Sequence, residues 1–263
     1  MDWLQVIVLS LVQGLTEFLP ISSSAHLVLP AQMTDWPDQG LAFDVGVHFG
    51  TLMAVLIYFR AELSRMAVAT LKWPATRRYD PDLDMVLKLA IASIPVAIAG
   101  FLAKDFVEDN LRTVPVIAAT TIGFALLLWV ADRKPGEGQD LQWHHALLVG
   151  LAQVCALIPG TSRSGVTITA ALLLGLSRTS AARFSFLLAI PTIAGAQLLL
   201  ALDLADANLD RVFTHMVSAA LISGMSAYLC IHYFIALVER TGMLPYVIYR
   251  LALGGVLLAF LWG

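Results

Sequence analysis

Two short polar stretches interrupt an otherwise oily chain, and both hold side chains able to act on a phosphate. The first, "GLTEFLPISSSAH" at 14–26, carries Glu17, the hydroxyls of Ser22, Ser23 and Ser24, and His26. The second, "PGTSRSG" at 159–165, carries Gly160, Thr161, Ser162, Arg163 and Ser164. A serine becomes a nucleophile when a base takes its proton, and His26 follows Ser23 by three residues, about one helical turn. Glu17 has two roles open to it: orienting that histidine, or holding a divalent cation against a reacting phosphoryl group. Arg163 offers the planar fork that pairs with phosphate oxygens in bidentate fashion. Gln13 stands four residues before Glu17 and shares its helix face.

Each group also has a plainer reading. Serines after a proline serve as helix N-caps, a membrane histidine is commonly a packed, hydrogen-bonded group, and a single arginine suits an interface. The combination argues for a site where no single member does. Asp44 and His48, four apart, read as supporting groups. His215 and His232 lack acidic neighbours and receive no role, and His144 and His145 are placed in a loop. Cys155 and Cys230 lie in apolar runs, with neither a disulfide framework nor a metal-ligand spacing, and read as buried small hydrophobes.

The elements that position these groups must sit in lipid. Of 263 residues only 13% are charged and 59% are hydrophobic, against roughly 25% charged in soluble domains. The net charge of −3 gives no reason to expect a nucleic-acid partner. The N-terminus lacks the basic n-region of a signal peptide and is expected to stay in the mature protein. A spanning helix needs roughly 20 apolar residues, and six stretches supply them: about 43–60, 84–103, 114–131, 181–202, 213–238 and 245–262. Residues 3–30 and 145–177 are each split by polar residues and a proline into two pieces too short to span. They read as re-entrant hairpins, whose irregular backbone is tolerated only where it is buried in protein or lines a wet cavity.

The two split regions resemble each other. "SLVQGLTEFLPISSSAH" and "GLAQVCALIPGTSRSGV" both pass through a glutamine to a proline and a run of hydroxyls. Aligned on Pro20 and Pro159, Ser22 falls on Thr161, Ser23 on Ser162 and Ser24 on Arg163. Three spans follow each break, so the second copy enters the membrane from the opposite side. Such an inverted repeat points to a binding site at the bilayer midplane. The expectation is one membrane domain over 1–263, with repeat 1 at 1–131 and repeat 2 at 141–263. Arg60, Arg65, Lys72, Arg77 and Arg78 follow the first span, and Arg133 and Lys134 the third, while "KDFVEDNLR" and "DLADANLDR" lean acidic. The positive-inside rule makes the basic connections cytoplasmic. The first hairpin then enters from outside and the second from the cytoplasm. Helix N-termini at both breaks supply free N–H groups for an anion.

"QGLTEFLPISSSAH" together with "PGTSRSG" resembles the two signature regions of the bacterial undecaprenyl-diphosphate phosphatases, the UppP or BacA family. "FDVGVHFGTLMAVLIYF" and "TAALLLGLSRTSAARFSFLLAIPTIAG" extend the resemblance over essentially the whole chain. It implies an all-α inner-membrane enzyme that removes the terminal phosphate of undecaprenyl diphosphate, recycles the cell-wall lipid carrier and confers bacitracin resistance. It also implies a catalytic set of Glu17, Ser23, His26 and Arg163. Ser22, Ser24, Gly160, Thr161, Ser162, Ser164 and Gln13 are implied as substrate contacts. The family's first motif carries Glu or Gln at the position of Gln13, so one carboxylate remains, and Glu17 is the candidate ligand for Mg²⁺ or Ca²⁺. Expected partners are the polyprenyl diphosphate, membrane lipid and a second copy in a homodimer.

Attack by Ser23 with His26 as base competes with direct attack by water. The rival from another class is a lipid-phosphate flippase, which needs no nucleophile and base. An intramembrane serine protease leaves the arginine and the second hydroxyl run idle, and its serine lacks a Gly-x-Ser-x-Gly context.

Overall fold

The computed structural model describes residues 1–33, 36–133, 136–138, 141–203 and 213–262. Lys134 and most of the acidic run at 203–211 lie outside them. Among the described residues the chain forms eleven α-helices, one 3-10 turn and no strand. Helix α1 is Trp3–Thr16, α2 Ser23–Met33, α3 Leu41–Tyr58, α4 Arg60–Thr76, α5 Pro81–Asn110 and α6 Val114–Asp132. Helix α7 is Trp143–Gln153, α8 Arg163–Leu173, α9 Arg178–Asp203, α10 Phe213–Thr241 and α11 Leu244–Trp262, with the 3-10 turn at Val154–Leu157.

Six of these, α3, α5, α6, α9, α10 and α11, are long and apolar enough to cross a membrane. They match the six expected spans to within a few residues. Their outer faces carry Phe101, Leu102, Leu198 and Met225, all well exposed, as lipid-facing side chains must be. The protein is an all-α multi-pass membrane protein.

The caps explain where the elements begin. Asp2 accepts from the Gln5 amide at 2.7 Å to start α1, and Asp80 accepts from Leu83 at 2.9 Å before Pro81 starts α5. Ser162 Oγ accepts from the Gly165 amide at 3.1 Å to start α8. Helix α1 meets α10 through Gly14, where an added Cβ would lie 1.9 Å from Ser226 Oγ and 2.4 Å from the Ser223 carbonyl oxygen. Close approach of small residues is how helices pack without a hydrophobic driving force. Helix α7 packs on α5 in the same way that α1 packs on α10.

Four local assignments are corrected. The connection after the first span is not an open basic loop: Arg60, Arg65 and Lys72 lie on α4, because 60–73 is rich in good helix formers. Helix α5 continues through most of "KDFVEDNLR" to Asn110. His144 and His145 are in the first turn of α7, where the His145 side chain accepts from the Gln142 amide at 3.4 Å. Cys230 is buried as expected, whereas Cys155 is exposed on the 3-10 turn.

The two breaks correspond at an offset of 140, one more than the Pro20–Pro159 alignment gives. Trp3 and Trp143 open α1 and α7, and Gln13 and Gln153 are both fully buried. Ser22 and Ser162 share a left-handed backbone, with φ of 73° and 70°. Ser22 Oγ lies 3.3 Å from Ser24 Oγ, and Ser162 Oγ lies 3.2 Å from Ser164 Oγ. Backbone conformation therefore pairs Ser22 with Ser162 and Ser23 with Arg163. The proline stands one residue earlier in the second turn, with Gly160 at the position of Pro20.

Candidate active site

The breaks meet at the centre of the molecule. Glu17 follows the last turn of α1, its amide donating to the Gln13 carbonyl at 2.9 Å. Arg163 Nη2 donates to Glu17 Oε1 at 2.9 Å, and Nη1 donates to the Ser185 carbonyl at 3.2 Å. Ser23 Oγ donates to Glu17 Oε2 at 2.6 Å, and Gln13 Nε2 donates to the same oxygen at 3.0 Å. His48 Nε2, on α3, lies 3.9 Å from it. The carboxylate is nearly inaccessible, at 8% exposure for the residue. A buried charge of that kind persists only when paired and hydrogen-bonded, and Arg163 and Ser23 satisfy both demands.

A cavity of about 250 Å³ opens beside this cluster. Its polar wall is formed by Glu17, Ser22, Ser23, Ser24, His48, Ser162 and Arg163. Its apolar wall is formed by Val96, Leu157, Ile193, Ala196 and Leu200, with Thr192 and Gln197 among them. The starts of α2 and α8 both stand at the polar wall, so two sets of unpaired helix N–H groups converge there.

Several expected contacts are placed elsewhere. His26 does not pair with Ser23. Its Nδ1 donates to the Ser22 carbonyl at 2.7 Å, which leaves Nε2 as an acceptor for Tyr249 Oη at 2.5 Å. With both nitrogens committed, the imidazole has no lone pair for the Ser23 proton, and the carboxylate of Glu17 is the base within reach. Gln13 is buried against Glu17 and lies outside the cavity wall. Thr161 turns back to the Ile158 carbonyl at 2.7 Å, and Ser164 donates to the Leu19 carbonyl at 2.8 Å, so both join backbone rather than line the cavity. Gly160, at φ 89°, is packed so closely on α6 that a Cβ would lie 2.6 Å from the Ile117 carbonyl oxygen. Asp44 Oδ1 accepts from Gln39 Nε2 at 3.1 Å, and the Asp44 carbonyl accepts from His48 Nδ1 at 2.8 Å, a support for the histidine. His215 and His232 stack against Trp3 and Tyr58, away from the cavity.

The largest omission of the sequence reading is Arg250. It lies in the middle of α11 with no exposed surface. Its guanidinium donates to the carbonyls of Pro20 at 3.1 Å, Gly160 at 2.9 Å, Thr161 at 3.0 Å and Thr121 at 3.2 Å. One cation thus satisfies carbonyls of both breaks, a requirement of irregular backbone at membrane depth. The signal was available: an ionisable residue inside an apolar span is costly and is retained for a reason.

Across this geometry the family comparison is decisive. The family model for bacitracin resistance protein BacA matches residues 6–256 of the chain. The chain belongs to the BacA family. BacA proteins are undecaprenyl-diphosphate phosphatases that confer bacitracin resistance, so the chain is a hydrolase acting on a polyprenyl diphosphate and serving cell-wall synthesis. The flippase alternative finds no support in the match.

Among the described residues no three metal-ligating side chains cluster. The metal-ligand set at the BacA cavity is one carboxylate, Glu17, whose oxygens both already accept hydrogen bonds, and the His48 imidazole beside it. It fits a cation shared with substrate oxygens, as Mg²⁺ is commonly held by one or two carboxylates and phosphates. It does not fit an all-protein cage.

Proposed function

We propose that Ser23 attacks the terminal phosphorus of undecaprenyl diphosphate while Glu17 accepts its proton. The 2.6 Å hydrogen bond from Ser23 Oγ to Glu17 Oε2 carries this reading. The terminal phosphate lies between the starts of α2 and α8, with Arg163 and the helix N–H groups on its oxygens. Charge that develops on the transferring group is met there by donors already in place. As the phosphate takes over part of the Arg163 fork, Glu17 loses its counter-ion and accepts a proton more readily. The Ser23 Oγ–P bond forms, the bridging P–O bond breaks, and undecaprenyl phosphate leaves. Water then cleaves the phosphoserine and restores the hydroxyl. Ser22, Ser24 and Ser162 contribute oxygen contacts, and the apolar wall of the cavity receives the first part of the prenyl chain.

His26 acts through Ser22 in this reading, holding the turn that aims Ser23. Mg²⁺ or Ca²⁺ would be held by Glu17 together with substrate oxygens and would add positive charge there. Two re-entrant hairpins in an inverted repeat, spanning 1–131 and 141–263, are supported by the shared dihedrals of Ser22 and Ser162 and by the exchanged packing of α1 and α7. Placement in the inner membrane and assembly as a homodimer belong to the same reading. Membrane fractionation and the mass of the solubilised particle check them.

The test is phosphate release from undecaprenyl diphosphate in detergent, with Mg²⁺, Ca²⁺ or chelator. Ser23→Ala should lose about a hundredfold or more, and Arg163→Ala a similar factor. If Ser23→Ala keeps most of the activity, direct attack by water replaces the phosphoserine route. Unchanged rates in chelator would remove the cation from the reading.

A further inference from the structure

Helix α4 leaves the end of a span carrying more positive charge than its surroundings neutralise. Only Phe59 separates it from α3, and only 77–80 separate it from α5. Two spans tether it at both ends, so it lies at the membrane surface. Its first half is anchored: Met66 is buried, and Glu62 Oε2 accepts from Arg183 Nε of α9 at 3.1 Å. From Thr70 to Tyr79 every residue is exposed. Three large apolar side chains stand out on this helix, Val68 at 45%, Leu71 at 79% and Trp73 at 42% exposure.

A second cavity, of about 500 Å³, lies between α4 and the start of α5 and shares no lining residue with the cavity at Glu17. Arg65, Lys72, Arg78, Asp80 and Asp82 line it. Both carboxylates are engaged, Asp80 at the α5 N-cap and Asp82 with Arg65 at 3.5 Å. The side chains of Lys72 and Arg78 have no hydrogen-bond or ion-pair partner among the described residues. Two unpaired cations therefore face a cavity whose apolar lining is Val68 and Ala69, on a helix held beside the ends of two spans.

We infer that this cavity binds the headgroup phosphate of an anionic phospholipid from the leaflet on which α4 rests. Lys72 and Arg78 hold the phosphate, Val68 in the cavity lining meets the start of the acyl chains, and Leu71 and Trp73 flank the site from the two sides of α4. A basic pocket beside spanning helices suits an anionic headgroup, and an amphipathic surface helix binds through apolar burial plus attraction to anionic lipid. Tryptophan is at home in that layer. A free anion would pair with the cations but leave Leu71 and Trp73 in water. A lipid meets both needs.

The experiment measures phospholipid retained by the purified protein in mixed micelles, by native mass spectrometry. Phosphatidylglycerol is compared with phosphatidylcholine, and inorganic phosphate is added as competitor. Phosphatidylglycerol should be retained preferentially, and Lys72→Gln with Arg78→Gln should weaken retention by about thirtyfold, roughly fivefold per basic side chain. Phosphate at the lipid's concentration should not displace it. Equal retention of phosphatidylcholine, unchanged retention in the double variant, or displacement by phosphate overturns the inference. Wild-type retention must also fall as salt is raised, a check that needs no variant; salt-independent retention overturns it as well.

Discussion

Glu17 has more hydrogen-bond donors than a carboxylate needs for stability alone. Arg163, Ser23 and Gln13 converge on its two oxygens, and replacing it exposes each to a different loss. Glu17→Gln keeps the shape but removes both the base and the counter-ion of Arg163. Phosphate release should fall by about a hundredfold or more, and the detergent melting temperature should also drop, because an arginine is left buried without its partner. Tyr249→Phe is the gentler probe. It removes one hydrogen bond to His26 Nε2, so kcat should fall by roughly tenfold or less with KM unchanged. Steady-state kinetics on the two variants separates the base from the group that aims the nucleophile. At this scale residue type drew attention to Glu17, the serines and Arg163, and the family resemblance singled out Ser23 among the serines. The sequence reading paired Ser23 with His26 because spacing along a helix was the only geometry available. Ser23 instead donates to Glu17, and the two imidazole nitrogens are taken by the Ser22 carbonyl and by Tyr249, a main-chain and a distant partner that no local spacing announces.

Specific polar contacts join the elements alongside a buried apolar core that includes Phe18, Leu128, Ile168, Phe186 and Ile231. Arg250 of α11 joins α6, Pro20 and the 159–161 turn through four carbonyls. Arg250→Met removes the guanidinium donor from all four carbonyls, of which Gly160 keeps only Thr121 Oγ1 at 3.3 Å. A loss of about 3–5 kcal/mol is expected, since a buried charged network loses one partner, and both melting temperature and activity should collapse together. Gly14→Val should prevent α1 from seating on α10, where even a Cβ meets Ser226 Oγ at 1.9 Å. Its signature is poor recovery of folded protein after solubilisation. The breaks at Pro20 and Pro159 and the six spans were legible because hydropathy and proline act locally. Helix α4 was read as a loop because its charges were counted for orientation and its helix-forming composition was not weighed. Arg250 was missed because its partners are main-chain carbonyls, which have no letter in a sequence.

For the whole molecule, the expected topology puts the two ends of α5 on opposite sides of the membrane. With Cys155 and Cys230 replaced by alanine, a thiol introduced by Thr76→Cys should react only with reagents supplied from the cytoplasm. One introduced by Asn110→Cys should react only from outside. Labelling of both from the same face would end the orientation drawn from the positive-inside rule. The likeness of the two breaks was visible as two similar motifs, but its register was not, because Gly160 stands where the first turn has Pro20 and the proline comes one residue early. Residues of similar type then aligned convincingly at the wrong offset.

The cation that closes both breaks belongs to α11, which leaves the ribosome after every other described helix. While the chain is being made, the carbonyls of Pro20, Gly160 and Thr161 therefore wait in the bilayer without their donor. On the proposed mechanism the turn before Ser23 gains its guanidinium partner only when α11 inserts, so activity should appear late in synthesis, after the preceding described helices are in place.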